Sequence, residues 1–129
     1  MILDYSSQYG KKIITTGNPQ QHINFDKIIY IQYDYDTSII FLSDGNKIKE
    51  KKTLKEYEKD LCDFGFFRIH KNTIINGMYI TEVNTNIKEK TVKLDEITLN
   101  IAKRRLKFFK NWLQNIPFNV KKYPFNVKN

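Results

Sequence analysis

The sequence predicts a mainly β domain with two helices, and three observations carry that expectation. Short runs rich in Ile, Tyr, Phe and Thr recur between tight-turn signals, among them 28–32, 38–42 and 91–94, which is the pattern of strands in small sheets. Apolar residues fall into helical spacing in two places, over 54–64 and over 106–113. Finally, 129 residues that are 40% hydrophobic and 14% aromatic suffice for one core and are too apolar for a disordered chain.

Taken in order, Met1 to Tyr9 carries no clear pattern and reads either as a linker or as an added strand. Lys12 to Thr15 predicts a short strand, ended by Gly17-Asn18-Pro19, with His22 to Phe25 as its hairpin partner. His22 has no second His or Cys at metal spacing and reads as a surface residue. Ile28 to Gln32 and Ser38 to Leu42 are core strands joined through Tyr33-Asp34-Tyr35-Asp36. Two aspartates fall short of the roughly six oxygens that a hard cation gathers, so that link reads as a solvated turn. Asp44-Gly45 signals a hairpin. It leads into Lys47 to Lys51, whose Lys47, Lys49 and Lys51 share one side, as on a protected edge strand.

Thr53-Leu54-Lys55-Glu56 is a capping box that opens the first helix. Leu54, Tyr57, Leu61 and Phe64 form its apolar stripe, and Gly65 closes it from the C′ position. In the next strand Phe67 and Ile69 alternate with Arg68 and His70, so one face belongs to a core. Lys71-Asn72 makes a turn, and Thr73, Ile74 and Ile75 resume the apolar character. This arrangement delivers Arg68, His70, Lys71 and Asn72 to an exposed edge over an apolar bed. Tyr79 to Thr85, Thr91 to Leu94 and Thr98 to Ile101 predict further short antiparallel strands. From Ala102 a second helix follows, with Leu106, Phe109 and Leu113 on one side, Phe108 and Trp112 alongside, and Pro117 as its stop. The tail repeats Pro-Phe-Asn-Val-Lys at 117–121 and 124–128. Two copies are too few for a solenoid, so the tail reads as an extension whose Phe118 and Phe125 would dock on the body.

Charge narrows the function. The net charge is +8, yet Met1 to Gly65 holds 9 Lys and 10 acids, whereas Phe66 to Asn129 holds 13 Lys and Arg against 4 acids. All three arginines lie in the second part, which points to nucleic acid or an anionic surface. The single Cys62 permits no internal disulfide and reads as a packing residue in a reducing compartment. No apolar run approaches the roughly 20 residues of a membrane helix, and no secretion signal opens the chain, so a cytoplasmic protein is expected. Nucleophile–base pairs, metal-ligand sets and phosphate-cradling glycine loops are all missing from the sequence, so neither an enzyme nor a cofactor is expected.

A second constellation, Lys103-Arg104-Arg105 with Lys107, opens the last helix. The helix dipole disfavours cations there by about 0.3–1 kcal/mol each. A phosphodiester would reverse that sign, because dipole and side chains would attract it together, and the arginine fork matches guanine O6 and N7. The alternative is a solvated charge run.

Together the two constellations resemble the LytTR family of bacterial DNA-binding domains. That family carries Phe-x-Arg-x-His-x-Ser and, at its final strand–helix junction, Ser-[Lys/Arg]-x-Arg. Here the counterparts are Phe66-x-Arg68-x-His70-x-Asn72, followed by Ile75-Asn76 and Ile80, then Ala102-Lys103-Arg104-Arg105. The resemblance runs from Tyr9 to about Asn115. It implies an elongated stack of small, mostly antiparallel sheets with about ten short strands. Residues 9–116 would be the domain, 1–8 a linker or N-terminal extension, and 117–129 a C-terminal extension.

The implied function is sequence-specific binding of double-stranded DNA by loops set in successive major grooves. The domain would be the output module of a transcriptional regulator, acting as a dimer on promoter direct repeats. Such domains usually follow a phospho-accepting receiver domain, for which this chain has no room, so it would be an excised domain or a standalone regulator. By position, Lys71 and Asn72 would form one contact and Lys103, Arg104, Arg105 and Lys107 another. Thr37 or Ser38 would supply a third, while Arg68 and His70 suit either a phosphate contact or a structural hydrogen bond. Three departures stand out. Asn72 and Ala102 each replace a serine, and Asp34 and Asp36 put negative charge beside the third contact. The other functional class open to the sequence is a basic module that docks on proteins or membranes without reading DNA sequence.

Overall fold

A computed structural model describes residues 2–6, 11–16, 19–116 and 126–128. Among them, β1 (Ile2–Ser6), β2 (Lys11–Thr16) and β3 (Gln21–Asn24) form an antiparallel meander. The strand alternative for the N-terminal residues is therefore the one adopted over 2–6. A central sheet of five strands follows, built from β4 (Ile28–Asp34), β5 (Thr37–Leu42), β6 (Lys47–Glu50), β7 (Phe66–His70) and β8 (Thr73–Asn76), in the order β6-β5-β4-β8-β7. The first helix, α1 (Leu54–Leu61), intervenes before the β7–β8 hairpin, which adds to the free side of β4. The third sheet has the order β11 (Ile97–Asn100), β10 (Thr91–Leu94), β9 (Ile80–Asn84), β12 (Asn126–Lys128), with β12 running parallel to β9. The second helix, α2 (Leu106–Asn115), lies between β11 and β12 in the chain. The described chain is thus mostly β with two helices and several small antiparallel sheets, as the sequence predicts.

The central sheet is buried on both faces. One face carries Ile28, Ile31, Ile40, Phe66 and Ile74, packed with Leu54, Tyr57 and Leu61 of α1 and with Ile14 and Ile23 of the first sheet. The other carries Tyr30, Ile69 and Ile75, packed with Ile80, Val83, Val92 and Leu94 of the third sheet and Leu106 and Phe109 of α2. Double burial explains why these strands read as unbroken apolar runs, Ile-Ile-Tyr-Ile and Thr-Ile-Ile. Phe67 and Ile69 do share a face, and Phe66 fills the opposite one beside α1. A bulge between Arg68 and His70 then re-aims the end of β7.

The helix ends follow local chemistry. Thr53 accepts from the Glu56 amide at 3.3 Å, the N-cap half of the capping box. The α-helix stops at Leu61, before the expected Phe64, because Cys62–Phe64 tightens into a 3-10 turn that Gly65 ends at φ 88°. In α2, Leu106 and Phe109 are buried and Trp112 is half-buried against Phe67, with ring centres 5.1 Å apart. Phe108 is a correction to the expected stripe. It lies about 200° round the helix from Leu106 and is 65% exposed. The helix ends at Asn115, before Pro117. Gly77 packs under this helix so closely that a Cβ there would stand 2.7 Å from Trp112 Cη2.

The link between β4 and β5 is shorter than the sequence suggests, because Tyr33 and Asp34 extend β4 and leave only Tyr35-Asp36 as loop. Gly17, Asn18, the first copy of the tail repeat and the docking expected of Phe118 and Phe125 lie outside the described residues. Among the described residues no helix is long and apolar enough to cross a membrane.

Candidate nucleic-acid interface

Two backbone bonds and one side chain bring the separated motifs together. The Ala102 amide donates to the Ile69 carbonyl at 2.9 Å, which stitches the β11–α2 junction to the end of β7, and the Ile101 amide donates to the Lys90 carbonyl at 2.8 Å, which ties the same junction to the start of β10. Arg105 Nη1 donates to the Arg68 carbonyl at 3.2 Å. As a result Lys71 and Arg104 line one cleft of about 730 Å³, with His70, Ala102 and Lys103.

Beneath this cleft two arginines are bonded to other parts of the chain. Arg68 reaches toward α1, with Nη1 3.5 Å from Glu58 Oε1, and its Nη2 donates to the Lys71 carbonyl. Its side chain is only 21% exposed. Arg105 is half-buried. Burial lowers its pKa first, the like charge of Arg68 lowers it further, and Glu58 opposes both. The Nε atoms of both guanidiniums are buried without a hydrogen-bond partner. Arg68 and Arg105 are therefore half-buried and bonded inward, whereas the edge and the basic run are expected from sequence to be exposed. Both side chains turn inward, where they hold the 71–72 turn and the helix junction in register.

Above it the charge is free. Lys71, Asn72, Lys103, Arg104 and Lys107 are exposed, and none of these four cations joins an ion pair among the described residues. The Asn72 amide hydrogen points to His70 Nδ1 at 3.4 Å, its carbonyl accepts from Tyr33 N at 2.9 Å, and its Oδ1 accepts from the Thr73 hydroxyl at 3.0 Å. His70, half-buried at the cleft wall, thus shapes the turn. Ala102 starts the 3-10 turn Lys103–Arg105 with no side-chain cap, and no acid lies in the first turn of α2. The amide ends there face only basic side chains in sequence.

The third expected contact divides. Ser38 is fully buried and donates to the Lys52 carbonyl, so it is withdrawn as a contact. Strand alternation turns it into the sheet and leaves Thr37 outside. Thr37 is half-exposed and donates to Asp36 Oδ1 at 3.0 Å, and Asp36 lies 3.8 Å from Lys51. A second cleft of about 420 Å³ joins this hairpin to the first, since Lys71 lines both, with Asn72, Arg68, Tyr33, Asp34, Tyr35 and Thr53 to Lys55. Tyr35, Thr53 and Lys55 carried no functional signal in the sequence. The capping box reads as a helix start and nothing else. Among the described residues no group of three His, Cys, Asp or Glu could hold a metal ion.

The arrangement offers exposed cations that join no ion pair among the described residues, which suits a polyanion. Comparison with known proteins agrees. The family model for the LytTr DNA-binding domain matches residues 20–114. A search of curated proteins returned no match. Among solved structures, the LytTr DNA-binding domain of a methyl-accepting/DNA response regulator from Bacillus cereus superposes with a TM-score of 0.68 at 18% identity, over 78% of this chain and 95% of that one.

Proposed function

The chain belongs to the LytTR DNA-binding domain family, and from that premise we propose that it reads double-stranded DNA sequence as the output domain of a bacterial transcriptional regulator. In this reading the domain spans residues 9–116. Lys71 and Asn72 enter one stretch of major groove, and Lys103 and Arg104 enter the next. Lys107 neutralises phosphate, and Thr37 supplies the third contact. Arg104 carries the fork that matches guanine O6 and N7, while Asn72 can pair with adenine N6 and N7. Arg68, His70 and Arg105 act from behind by fixing the loops. Direct repeats bound by two copies, and an upstream receiver domain in a full-length protein, complete the proposal.

The observation that carries it is the shared cleft of Lys71 and Arg104, two residues 33 positions apart that converge with no ion pair to either among the described residues. The test is selection of bound duplexes from a random pool at two salt concentrations. Enriched paired repeats, with affinity falling steeply as salt rises, are the expected result. A pool that stays random at both concentrations would leave a basic surface without sequence readout.

A further inference from the structure

We propose that Tyr35 is a specificity-determining residue whose ring rests on the 5-methyl group of a thymine in the bound duplex; the proposal depends on the DNA reading above. Tyr35 is 91% exposed at the tip of the β4–β5 hairpin. Its φ is 59°, in the left-handed region that bulky side chains disfavour and that glycine usually fills at the first position of such a loop. The β10–β11 hairpin makes the same demand at Asp95, φ 52°, and meets it with a residue type that tolerates the conformation. At Tyr35 neither burial nor packing offsets the strain, and backbone outliers of this kind concentrate where a side chain must be aimed at a ligand.

Location and charge say which ligand. The tip lines the cleft that also holds Lys71 and Asn72, and the Tyr33 amide clamps the hairpin to the Asn72 carbonyl at 2.9 Å. Asp34 and Asp36 flank Tyr35 in the sequence, and both are exposed. Asp36 lies 3.8 Å from Lys51, and Asp34 joins no ion pair among the described residues, so the tip adds no free cation to meet the DNA backbone, unlike Lys71 and Arg104. What it can offer between the backbones is an aromatic face, and the apolar feature of the major-groove floor is the thymine methyl.

The experiment uses the selected duplex with each thymine replaced in turn by uracil, which removes only the methyl group. The wild-type chain should lose about fourfold in affinity at one position, the worth of burying one methyl group. Tyr35→Ala should lose affinity on the parent duplex and show no further loss at that position. Tyr35→Phe should behave as wild type, and Tyr35→Gly should hold or raise the melting temperature while binding weakens. Equal uracil sensitivity in wild type and Tyr35→Ala would overturn the proposal. So would a Tyr35→Ala effect confined to cooperativity between two sites, which would make the tip a protein contact. A wild-type chain with no preference among duplexes would remove the underlying reading and this proposal with it, and the parent titration reveals that case before any variant is compared.

Discussion

Below the cleft, Arg68 and Arg105 are committed to Glu58 and to main-chain carbonyls; above it, Lys71, Lys103 and Arg104 are exposed and make no ion pair among the described residues. Both layers come from the same two motifs, and Arg104 and Arg105 are sequence neighbours. The contrast teaches that adjacent basic side chains can divide, one bonded into the fold and its neighbour left exposed. The half-buried arginines tie the 71–72 turn and the helix junction to the body of the fold.

The contrast is sharpened most by Arg104→Ala. It should cost about 1–3 kcal/mol on the preferred duplex, with a smaller loss on a scrambled one, and should leave stability within about 0.5 kcal/mol. Titrations of both duplexes, with a urea melt, check this. Arg105→Ala should do the reverse. It deletes a charge-assisted bond to the Arg68 carbonyl and should destabilise the fold by about 1–2 kcal/mol, with affinity falling in equal proportion on both duplexes. Lys107→Ala should weaken every sequence alike and reduce the salt slope by about 0.9. The smallest effect belongs to Glu58→Gln. Its ion pair with Arg68 is partly exposed, so the stability loss should be about 0.2–1 kcal/mol with duplex preference unchanged. A Glu58→Gln variant that altered sequence preference would break the division between the layers.

Much of the fold was legible because burial left direct marks. A central sheet covered on both faces produces continuous apolar strands, Thr53 marks where α1 starts, and Gly65 marks the end of the 3-10 turn that follows it. What was illegible depends on phase or on distant partners. Ser38 and Thr37 are adjacent, and one step of strand alternation sends the first into the core and the second outside. Phe108 reads as part of an apolar stripe until the helix angle is fixed by Leu106 and Phe109. Arg68 turns inward to Glu58 on α1 and Arg105 to the Arg68 carbonyl, and nothing near either arginine in sequence announces those partners. The site's two main loops were named from sequence, whereas their convergence rests on the Ala102 to Ile69 bond, a pairing of residues 33 apart. Tyr35 gives no signal in sequence, because an aromatic between two aspartates looks like a solvated turn until its φ and exposure are known.

The most direct test of the common front is a backbone-amide NMR titration of the chain with its selected duplex. The account predicts shifts that cluster at 35–37, 71–72 and 102–107 and spare the polar cleft lined by His22, Lys27, Asp44 and Lys47. Shifts centred on that second cleft, or on only one of the three loops, would contradict it.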